Sequence, residues 1–344
     1  MSTSITAHAV TVVYVANADS QEISVLALDR ATGALTPVET VPVGGVAMPM
    51  ALSPDKRVLY AAMRLQPFRV LSFAIDAASG RLTKVGESAL ADSMANIDTD
   101  RSGRWLFAAS YGGHKITVNA IDQNGLVGAV QQLIATKPNA HAIHADAANR
   151  FVVATSLGGD HLSSWRFDAA TGTLGPNEPA LVSTGTKSGP RHFVWDAPQR
   201  HLYLLCELDA SVFVFDFDAA RGSLREVQRT SALPPGFAGK PWAADLHLAP
   251  DGRHLYASER TSSTITVYAV DAVSGQLTTL SRAPTEKTPR GFAIDPSGRY
   301  LIAAGQDSHA VAVYAIDPMS GALTAPHRYP VGKNPNWIEI VELP

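Results

Sequence analysis

Short runs of alternating hydrophobic and polar residues recur along this chain and predict β-strands. Residues 265–268 and 311–314, for example, read Ile-Thr-Val-Tyr and Val-Ala-Val-Tyr, a pattern typical of short strands. Two kinds of tight turn separate these runs, and both return at nearly constant spacing. A period of 46 to 53 residues indicates a fold assembled from copies of one structural unit.

The first kind of turn has an Asp, a Gly three or four residues later, and a Leu just beyond the Gly. It occurs seven times, with the Asp at Asp29, Asp76, Asp122, Asp168, Asp218, Asp271 and Asp317. An Asp side chain caps its own turn, and Gly tolerates the positive φ that such a turn needs. We therefore expect these carboxylates to form turns rather than a binding site.

The second kind of turn is built from Asp, Pro, Gly or Asn and ends on an arginine. It occurs six times, ending at Arg57, Arg104, Arg150, Arg200, Arg253 and Arg299. A short β-rich run follows each arginine. Each period therefore holds four short strands joined by hairpins, which is one blade of a propeller.

Seven turns of the first kind and six of the second indicate that one blade takes its first strand from elsewhere. The chain enters in mid-blade at residues 12–15 and ends with a lone hydrophobic run at residues 337–341. Pairing these two segments closes the ring and removes exposed strand edges. We predict an all-β fold, a seven-bladed β-propeller of four-stranded blades. It spans residues 1–344 as a single domain, and the C-terminal strand completes the N-terminal blade.

Composition limits the kinds of binding partner and the cellular compartment that are expected for this protein. Of 344 residues, 17% are charged and the formal net charge is -3, so no basic field exists to hold nucleic acid or an anionic membrane. The single cysteine, Cys206, cannot form an internal disulfide and is expected to be a buried apolar residue. Residues 1–15 lack the basic start of an export signal, and no run of 18 apolar residues occurs. A cytoplasmic monomer or small homo-oligomer is expected.

A common numbering of the repeats locates a candidate site. With the arginine of the second turn as position 0, positions −9 and +7 lie at the same end of a blade, because the first two strands pair antiparallel. Position −9 carries Met48, Ala95, His141, Arg191, Ala244 and Arg290, and position +7 carries Arg64, Tyr111, Leu157, Glu207, Arg260 and Gln306. Positions −7 and −5 are mostly apolar and are predicted to pack between blades. Charge therefore concentrates at one rim of the ring.

The rim residues suit an anionic substrate that carries an ester-like carbonyl. Arginines bind carboxylate or phosphate in bidentate fashion and stabilise a developing oxyanion. We predict that Arg191 and Arg260 do so, and that His141 or Glu207 draws a proton from water.

Further polar residues lie close to the predicted rim. Arg290 and Arg64 are expected to add positive charge or to hold a distal acid group of the substrate. Asp245, at position −8, either ties two blades together or binds the substrate, and Asn96 presents the same alternatives. Lys240 belongs to a longer segment, residues 229–242, which is expected to emerge at the rim.

No metal or cofactor is predicted. His141 and His144 are three residues apart on a predicted strand, so their side chains point to opposite faces and do not chelate one ion by themselves. His192 and His247 are expected to hydrogen-bond between blades. Local signals of serine hydrolases, dinucleotide-binding folds and P-loops are missing from the sequence.

Several longer segments resemble a known family. They include Gly-Pro-Arg-His at residues 189–192, Cys-Glu-Leu-Asp at 206–209, Trp-Ala-Ala-Asp-Leu-His at 242–247 and Pro-Arg-Gly-Phe at 289–292. With them, nearly the whole chain is similar to the bacterial propeller-type 6-phosphogluconolactonases. That lactonase family also includes carboxy-muconate cyclases and aldarolactone hydrolases.

The resemblance implies a seven-bladed propeller, metal-independent lactone chemistry and a rim site of His, Arg, Glu and Arg. The last three fall on Arg191, Glu207 and Arg260, and the histidine is His141 or His144. The repeat numbering favours His141, because His144 lies three residues further inside the strand.

Four functions remain open at this point. The first is hydrolysis of an anionic sugar lactone of the 6-phosphogluconolactone type, and the second is hydrolysis of a glucaro- or galactarolactone. The third is lactonising cycloisomerisation of a muconate. The fourth is a propeller that binds proteins without catalysis, although an arginine-rich rim does not favour it.

Overall fold

The computed structural model describes residues 10–344, and the regular elements among them are β-strands. They form seven antiparallel sheets of four strands each. The first strands of neighbouring sheets contact one another in a complete circle. The predicted seven-bladed β-propeller is therefore confirmed. Within the described residues, no helix is long and apolar enough to cross a membrane.

Blade 1 contains the two ends of the described chain. Its strands are β28 (Pro335–Leu343), β1 (Val10–Asn17), β2 (Glu22–Leu28) and β3 (Leu35–Pro42), in that spatial order. β28 pairs antiparallel with β1, with Val13 opposite Ile340. The predicted closure of the ring by the C-terminal strand is confirmed.

Each of the other six blades is formed by four consecutive strands, with the first nearest the axis. Blade 2 is β4 (Ala47–Leu52), β5 (Val58–Met63), β6 (Arg69–Ile75) and β7 (Leu82–Ala89). Blade 3 is β8 (Asn96–Thr99), β9 (Trp105–Ser110), β10 (Lys115–Ile121) and β11 (Val127–Ala135). Blade 4 is β12 (Ala140–Ala145), β13 (Phe151–Ser156), β14 (His161–Asp168) and β15 (Thr173–Ser183).

The remaining blades follow the same plan. Blade 5 is β16 (Pro190–Trp195), β17 (His201–Cys206), β18 (Ser211–Asp218) and β19 (Ser223–Ser231). Blade 6 is β20 (Ala243–Leu248), β21 (His254–Glu259), β22 (Thr264–Val270) and β23 (Leu277–Pro284). Blade 7 is β24 (Pro289–Ile294), β25 (Tyr300–Gly305), β26 (Ala310–Ala315) and β27 (His327–Pro330).

Both repeated turns form as the sequence predicts. In the first kind, the Gly33 amide donates to the Asp29 carbonyl at 2.8 Å, and Gly33 has a φ of 77°. A Cβ at Gly33 would lie 2.5 Å from the ring of Tyr300, so the close approach of the next blade also requires glycine. In the second kind, the Asp100 carboxylate accepts from the Arg104 amide at 2.8 Å.

Four of the six turn arginines join one blade to the next, namely Arg104, Arg150, Arg200 and Arg253. The Arg200 guanidinium donates to the carbonyl of Ala272 at 2.8 Å, and that of Arg253 donates to the carbonyl of Pro318 at 3.0 Å. Both acceptors directly follow the Asp of a turn of the first kind. The two sequence marks therefore recur in phase because they bind each other across the blade interface.

The core between blades follows the expected pattern only in part. The apolar residues at position −7 are buried, for instance Phe193 and Leu246. At position −5 four residues pack against the same hydrophobic clusters but are only half-buried and also line the central cavity, namely Leu52, Trp195, Leu248 and Ile294. The first strands surround the axis, so their later residues contact this cavity as well as the neighbouring blade.

A β-bulge interrupts most first strands near their beginning. In blade 5, for example, Pro190 pairs with Cys206 and His192 with Leu205, which leaves Arg191 as an extra residue. Hydroxyl groups of the second strand satisfy bulge amides, as Ser258 does for the Asp245 amide at 3.0 Å. A bulge changes the direction of the side chains around it. Positions −9 and −8 can therefore both contribute side chains near the axis.

Candidate active site

A buried ion-pair network forms the centre of the site. The Arg191 Nε donates to Glu207 Oε2 at 2.9 Å, and Arg260 Nη2 donates to the same oxygen at 2.8 Å. Arg191 is 1% exposed and Arg260 is 3% exposed. Positions −9 and +7 thus meet at one end of the ring, as the antiparallel pairing predicts.

Backbone carbonyls of β20 and the residue before it hold both guanidinium groups in place. Arg260 donates to the carbonyls of Trp242 and Ala243, each at 2.9 Å, and Arg191 donates to that of Ala244. The Trp242 ring lies 3.9 Å from the Arg260 guanidinium, which adds a cation–π contact. The end of the segment 229–242 therefore covers part of the site.

Two more arginines complete a strongly positive cluster. Burial lowers the pKa of Arg290 well below its ordinary value, and the nearby charges of Arg191, Arg260 and Arg64 lower it further. Burial and the charge of Arg191 also lower the pKa of Arg64. Burial and, to a lesser extent, the charge of Arg191 lower the pKa of Arg260 to about 9. Arg260 therefore remains protonated at neutral pH. One carboxylate, Glu207, compensates only part of this charge.

Two donors of the cluster are buried and unused. Arg191 Nη2 and Arg290 Nε make no hydrogen bond to any residue of the described part of the chain. Buried donors are nearly always paired in proteins, and an unpaired one costs about 1–3 kcal/mol. An anionic oxygen placed here would satisfy these donors and reduce the excess of positive charge. The cluster is therefore suited to binding an anion.

The structure separates the two candidate histidines. The His141 ring is buried and lies close enough to Arg191, Arg290 and Arg260 for their charges to lower its pKa further, and its centroid is 5.0 Å from that of His192. The His144 Nδ1 instead lies 2.7 Å from Asp98 Oδ2, in the central cavity. The geometry thus brings His141, and not His144, together with the arginines.

The charges around His141 and Glu207 set their protonation states. Burial and then the positive charge of Arg191 hold the pKa of His141 well below its ordinary value, so the imidazole is neutral at neutral pH. Burial raises the pKa of Glu207, but Arg191 and Arg260 outweigh this effect and the pKa is lowered. The arginines therefore have both a neutral imidazole and a carboxylate near them.

The other sequence candidates are placed differently. Both carboxylate oxygens of Asp245 accept hydrogen bonds, from His192, His247 and backbone amides. Asn96 ties two blades, because its side-chain oxygen accepts from the Ile143 amide at 3.0 Å. Lys240 is exposed on the segment 229–242, and its carbonyl accepts from the Thr261 hydroxyl.

A cavity of about 770 Å³ occupies the propeller axis. Its wall includes turn residues such as Gln199 and Pro250, so it lies toward the end opposite the arginine cluster. Sequence reasoning missed Asp98, Trp337 and Glu339 in its lining, which also includes His144 and His247. The expectation that His247 bonds between blades is wrong, because its Nε2 lies 3.2 Å from Asp245 Oδ2 on the same strand. The signal was present, because a polar residue stands at position −6 in three of the six numbered repeats. Among the described residues, no three His, Cys, Asp or Glu side chains converge as metal ligands.

Glu339 in this cavity gives a first testable prediction. Burial raises its pKa to about 7, and Trp337 Nε1 donates to its Oε1 at 2.8 Å. The pKa of Glu339 is higher in the folded state than in the unfolded state. The protonated carboxyl therefore contributes its full stabilisation below about pH 4.3, and this contribution is lost as the pH rises through 7. Glutamine at this position does not ionise. We therefore expect the change in the free energy of unfolding caused by Glu339→Gln to be more favourable at pH 8 than at pH 4.5, by up to about 3 kcal/mol.

Urea unfolding of both proteins at the two pH values measures this difference. Glu342→Gln serves as the control, since Glu342 lies on the same strand but pairs with Arg30. The prediction fails if the Glu339 variant differs from the wild type by the same amount at both pH values.

Comparison with known proteins agrees with this fold. Residues 9–340 match the family described as "Lactonase, 7-bladed beta-propeller". The chain belongs to this lactonase family, and the expected family is thereby confirmed.

Relatives with assigned names cover most of the chain. The 6-phosphogluconolactonase of Pectobacterium carotovorum subsp. carotovorum is 42% identical over 284 residues, which is 83% of this chain and 84% of that protein. The 6-phosphogluconolactonase of Erwinia tasmaniensis is 40% identical over the same shares of the two chains. The periplasmic gluconolactonase of Pseudomonas aeruginosa is 29% identical and superposes with a TM-score of 0.90, over 97% of this chain and 100% of that one.

Proposed function

We propose that this protein hydrolyses an anionic sugar lactone of the 6-phosphogluconolactone type. The observation that carries the proposal is the buried guanidinium of Arg191, which has an unused donor in a cluster of four arginines and one glutamate. The names of the relatives support a lactone as the substrate. A cytoplasmic location and a monomer or small homo-oligomer remain part of the proposal.

The arginines bind the substrate and polarise its carbonyl. Arg191 and Arg260 are held rigidly by Glu207 and by backbone carbonyls, so little reorganisation is needed when charge develops on the carbonyl oxygen. Arg290 and Arg64 add positive charge to the cluster and grip the distal phosphate or carboxylate. Bidentate contact with such a group fixes the lactone ring relative to His141.

His141 is the base that activates water. It is neutral and therefore able to accept a proton. The Glu207 carboxylate is less able to do so, because Arg191 and Arg260 stabilise its charged form. The water oxygen bonds to the carbonyl carbon while His141 takes one proton. The ring C–O bond then breaks, His141 returns that proton to the leaving oxygen, and the new carboxylic acid ionises into solvent.

A substrate panel tests the proposal. Initial rates are measured on 6-phosphogluconolactone, gluconolactone, glucarolactone and galactarolactone, each corrected for spontaneous hydrolysis. We expect the phosphorylated lactone to have the highest kcat/KM. Preference for a dicarboxylic lactone would reassign the substrate, and no turnover of any of them would overturn the proposed hydrolase activity.

Two further assays separate the other functions. Loss of the conjugated absorbance of a carboxy-muconate would assign a cycloisomerase. Activity that disappears on chelation and returns with a divalent metal would contradict metal-independent chemistry.

A further inference from the structure

Three polar side chains from consecutive blades form a line beneath the arginine cluster. His141 belongs to β12, His192 to β16 and Asp245 to β20. Asp245 Oδ1 lies 2.7 Å from His192 Nδ1, and the rings of His192 and His141 meet edge to face with centroids 5.0 Å apart. His192 and Asp245 have no role in the hydrolysis described above.

The carboxylate determines which nitrogen of His192 carries the proton. Burial raises the pKa of Asp245, but the charge of His247 and the hydrogen bonds from His192 and His247 outweigh it and hold the pKa well below the ordinary value, so Asp245 is ionised. A carboxylate only accepts hydrogen bonds, so His192 Nδ1 must be the donor. Burial and the charge of Arg191 lower the pKa of His192 to about 4. Its ring is therefore neutral, and Nε2 carries a lone pair.

Two buried ring nitrogens then remain without partners. Neither His192 Nε2 nor His141 Nδ1 hydrogen-bonds to any residue between 10 and 344. They belong to the two rings that contact each other. A proton on His141 Nδ1 directed at His192 Nε2 would satisfy both atoms.

We propose that Asp245 and His192 are positioning residues that hold His141 with Nδ1 protonated and Nε2 free to take a proton from water. The inference rests on the proposed function, in which His141 is the base. The arrangement is comparable to a catalytic histidine that is hydrogen-bonded to a carboxylate, where the carboxylate fixes the tautomer and the direction of the ring. Here a second imidazole stands between the carboxylate and the base.

Asp245 is itself fixed by the fold, which makes it suited to this role. Its Oδ2 accepts from the Phe292 amide of blade 7 at 3.3 Å and lies 3.2 Å from His247 Nε2. The Asp245 side chain therefore links blades 5, 6 and 7. Its position is set before any substrate arrives.

Kinetics of two variants and their combination test the line of contacts. Asp245→Asn keeps the volume but removes the charge, and His192→Phe keeps the ring but removes both nitrogens. We expect each to lower kcat by about 10²-fold with KM within about threefold of the wild type. Because both act through His141, the double variant should be no slower than the slower single variant. Multiplying effects would overturn the proposal.

Asn96→Ala is the matched control for structural damage. Asn96 occupies the same position −8 and binds an amide of the next blade as Asp245 does, but it has no imidazole partner. Its loss should lower the melting temperature without the fall in kcat. An equal fall in kcat for Asn96→Ala would show that breaking a blade tie is sufficient.

Nitrogen NMR of protein labelled with ¹⁵N-histidine tests the same inference without a substrate. The ring shifts of His141 and His192 should show protonated Nδ1 and bare Nε2 on both rings at pH 7, and Asp245→Asn should alter the shifts of both. Resonances are assigned from His141→Gln and His192→Phe. Protonation of Nε2 on His141 would overturn the proposal even if the chain hydrolyses lactones, and failure of the substrate panel leaves this readout intact.

Discussion

Replacing Arg191 with alanine is expected to lower kcat/KM on the best lactone by about 10³-fold. The side chain is 1% exposed and is the central member of the network, paired with Glu207 at 2.9 Å. Its unused Nη2 is the donor that the substrate oxygen would take. In the proposed mechanism, removing it deletes both a binding contact and the stabilisation of the oxyanion. Steady-state kinetics on the substrate chosen by the panel measure the loss.

Arg328→Ala is the control for this experiment. Arg328 also pairs with a buried carboxylate, that of Glu286, but it lies on the outer strand β27 of blade 7. We expect its removal to lower stability while kcat/KM stays within about twofold of the wild type. If Arg191→Ala also retains wild-type turnover, the assignment of the site is wrong.

The repeats made the architecture and one end of the site predictable. The spacing of the turns defined the blades, and antiparallel pairing placed Arg191 and Glu207 at the same end without any knowledge of tertiary contacts. These features depend on local chemistry and on strand alternation, which a single sequence displays. The closure by β28 was predictable for the same reason, because one blade lacked a first strand.

Two features of the site were not predictable from the repeats. The bulge that leaves Arg191 as an extra residue cannot be read from alternation, since one inserted residue changes the face of everything before it. The contact between His141 and His192 joins different blades, and it depends on how first strands approach one another at the axis. The polar wall formed by Asp98 and Glu339 was not predictable from the rim positions, because Asp98 stands at position −6 and Glu339 lies in β28, in the blade without a numbered turn.

Glu207→Gln is expected to cost about 3–5 kcal/mol in the free energy of unfolding, because it leaves buried arginines without their carboxylate. Arg191 and Arg260 both donate to Glu207 Oε2, and Arg290 and Arg64 add further positive charge. Urea unfolding at pH 7 measures the loss. Glu286→Gln is the control, since the Glu286 side chain is even more buried, at 1% exposed against 14% for Glu207, but its partner Arg328 has a side chain that is 64% exposed. Water solvates that arginine when its partner is lost, so we expect a cost of about 1 kcal/mol.

The pH dependence of this loss follows from the lowered pKa of Glu207. A carboxyl whose folded-state pKa lies below its unfolded value stabilises the protein above about pH 4.3, and the contribution is lost as the pH falls through the folded pKa. The difference in the free energy of unfolding between the wild type and Glu207→Gln should therefore be full at pH 7 and smaller in acid.

Added phosphate should also raise the melting temperature of the variant more than that of the wild type, because an anion replaces the missing carboxylate. A gap that persists unchanged in acid, or equal stabilisation of both proteins by phosphate, would show that the arginines do not depend on Glu207 for compensation.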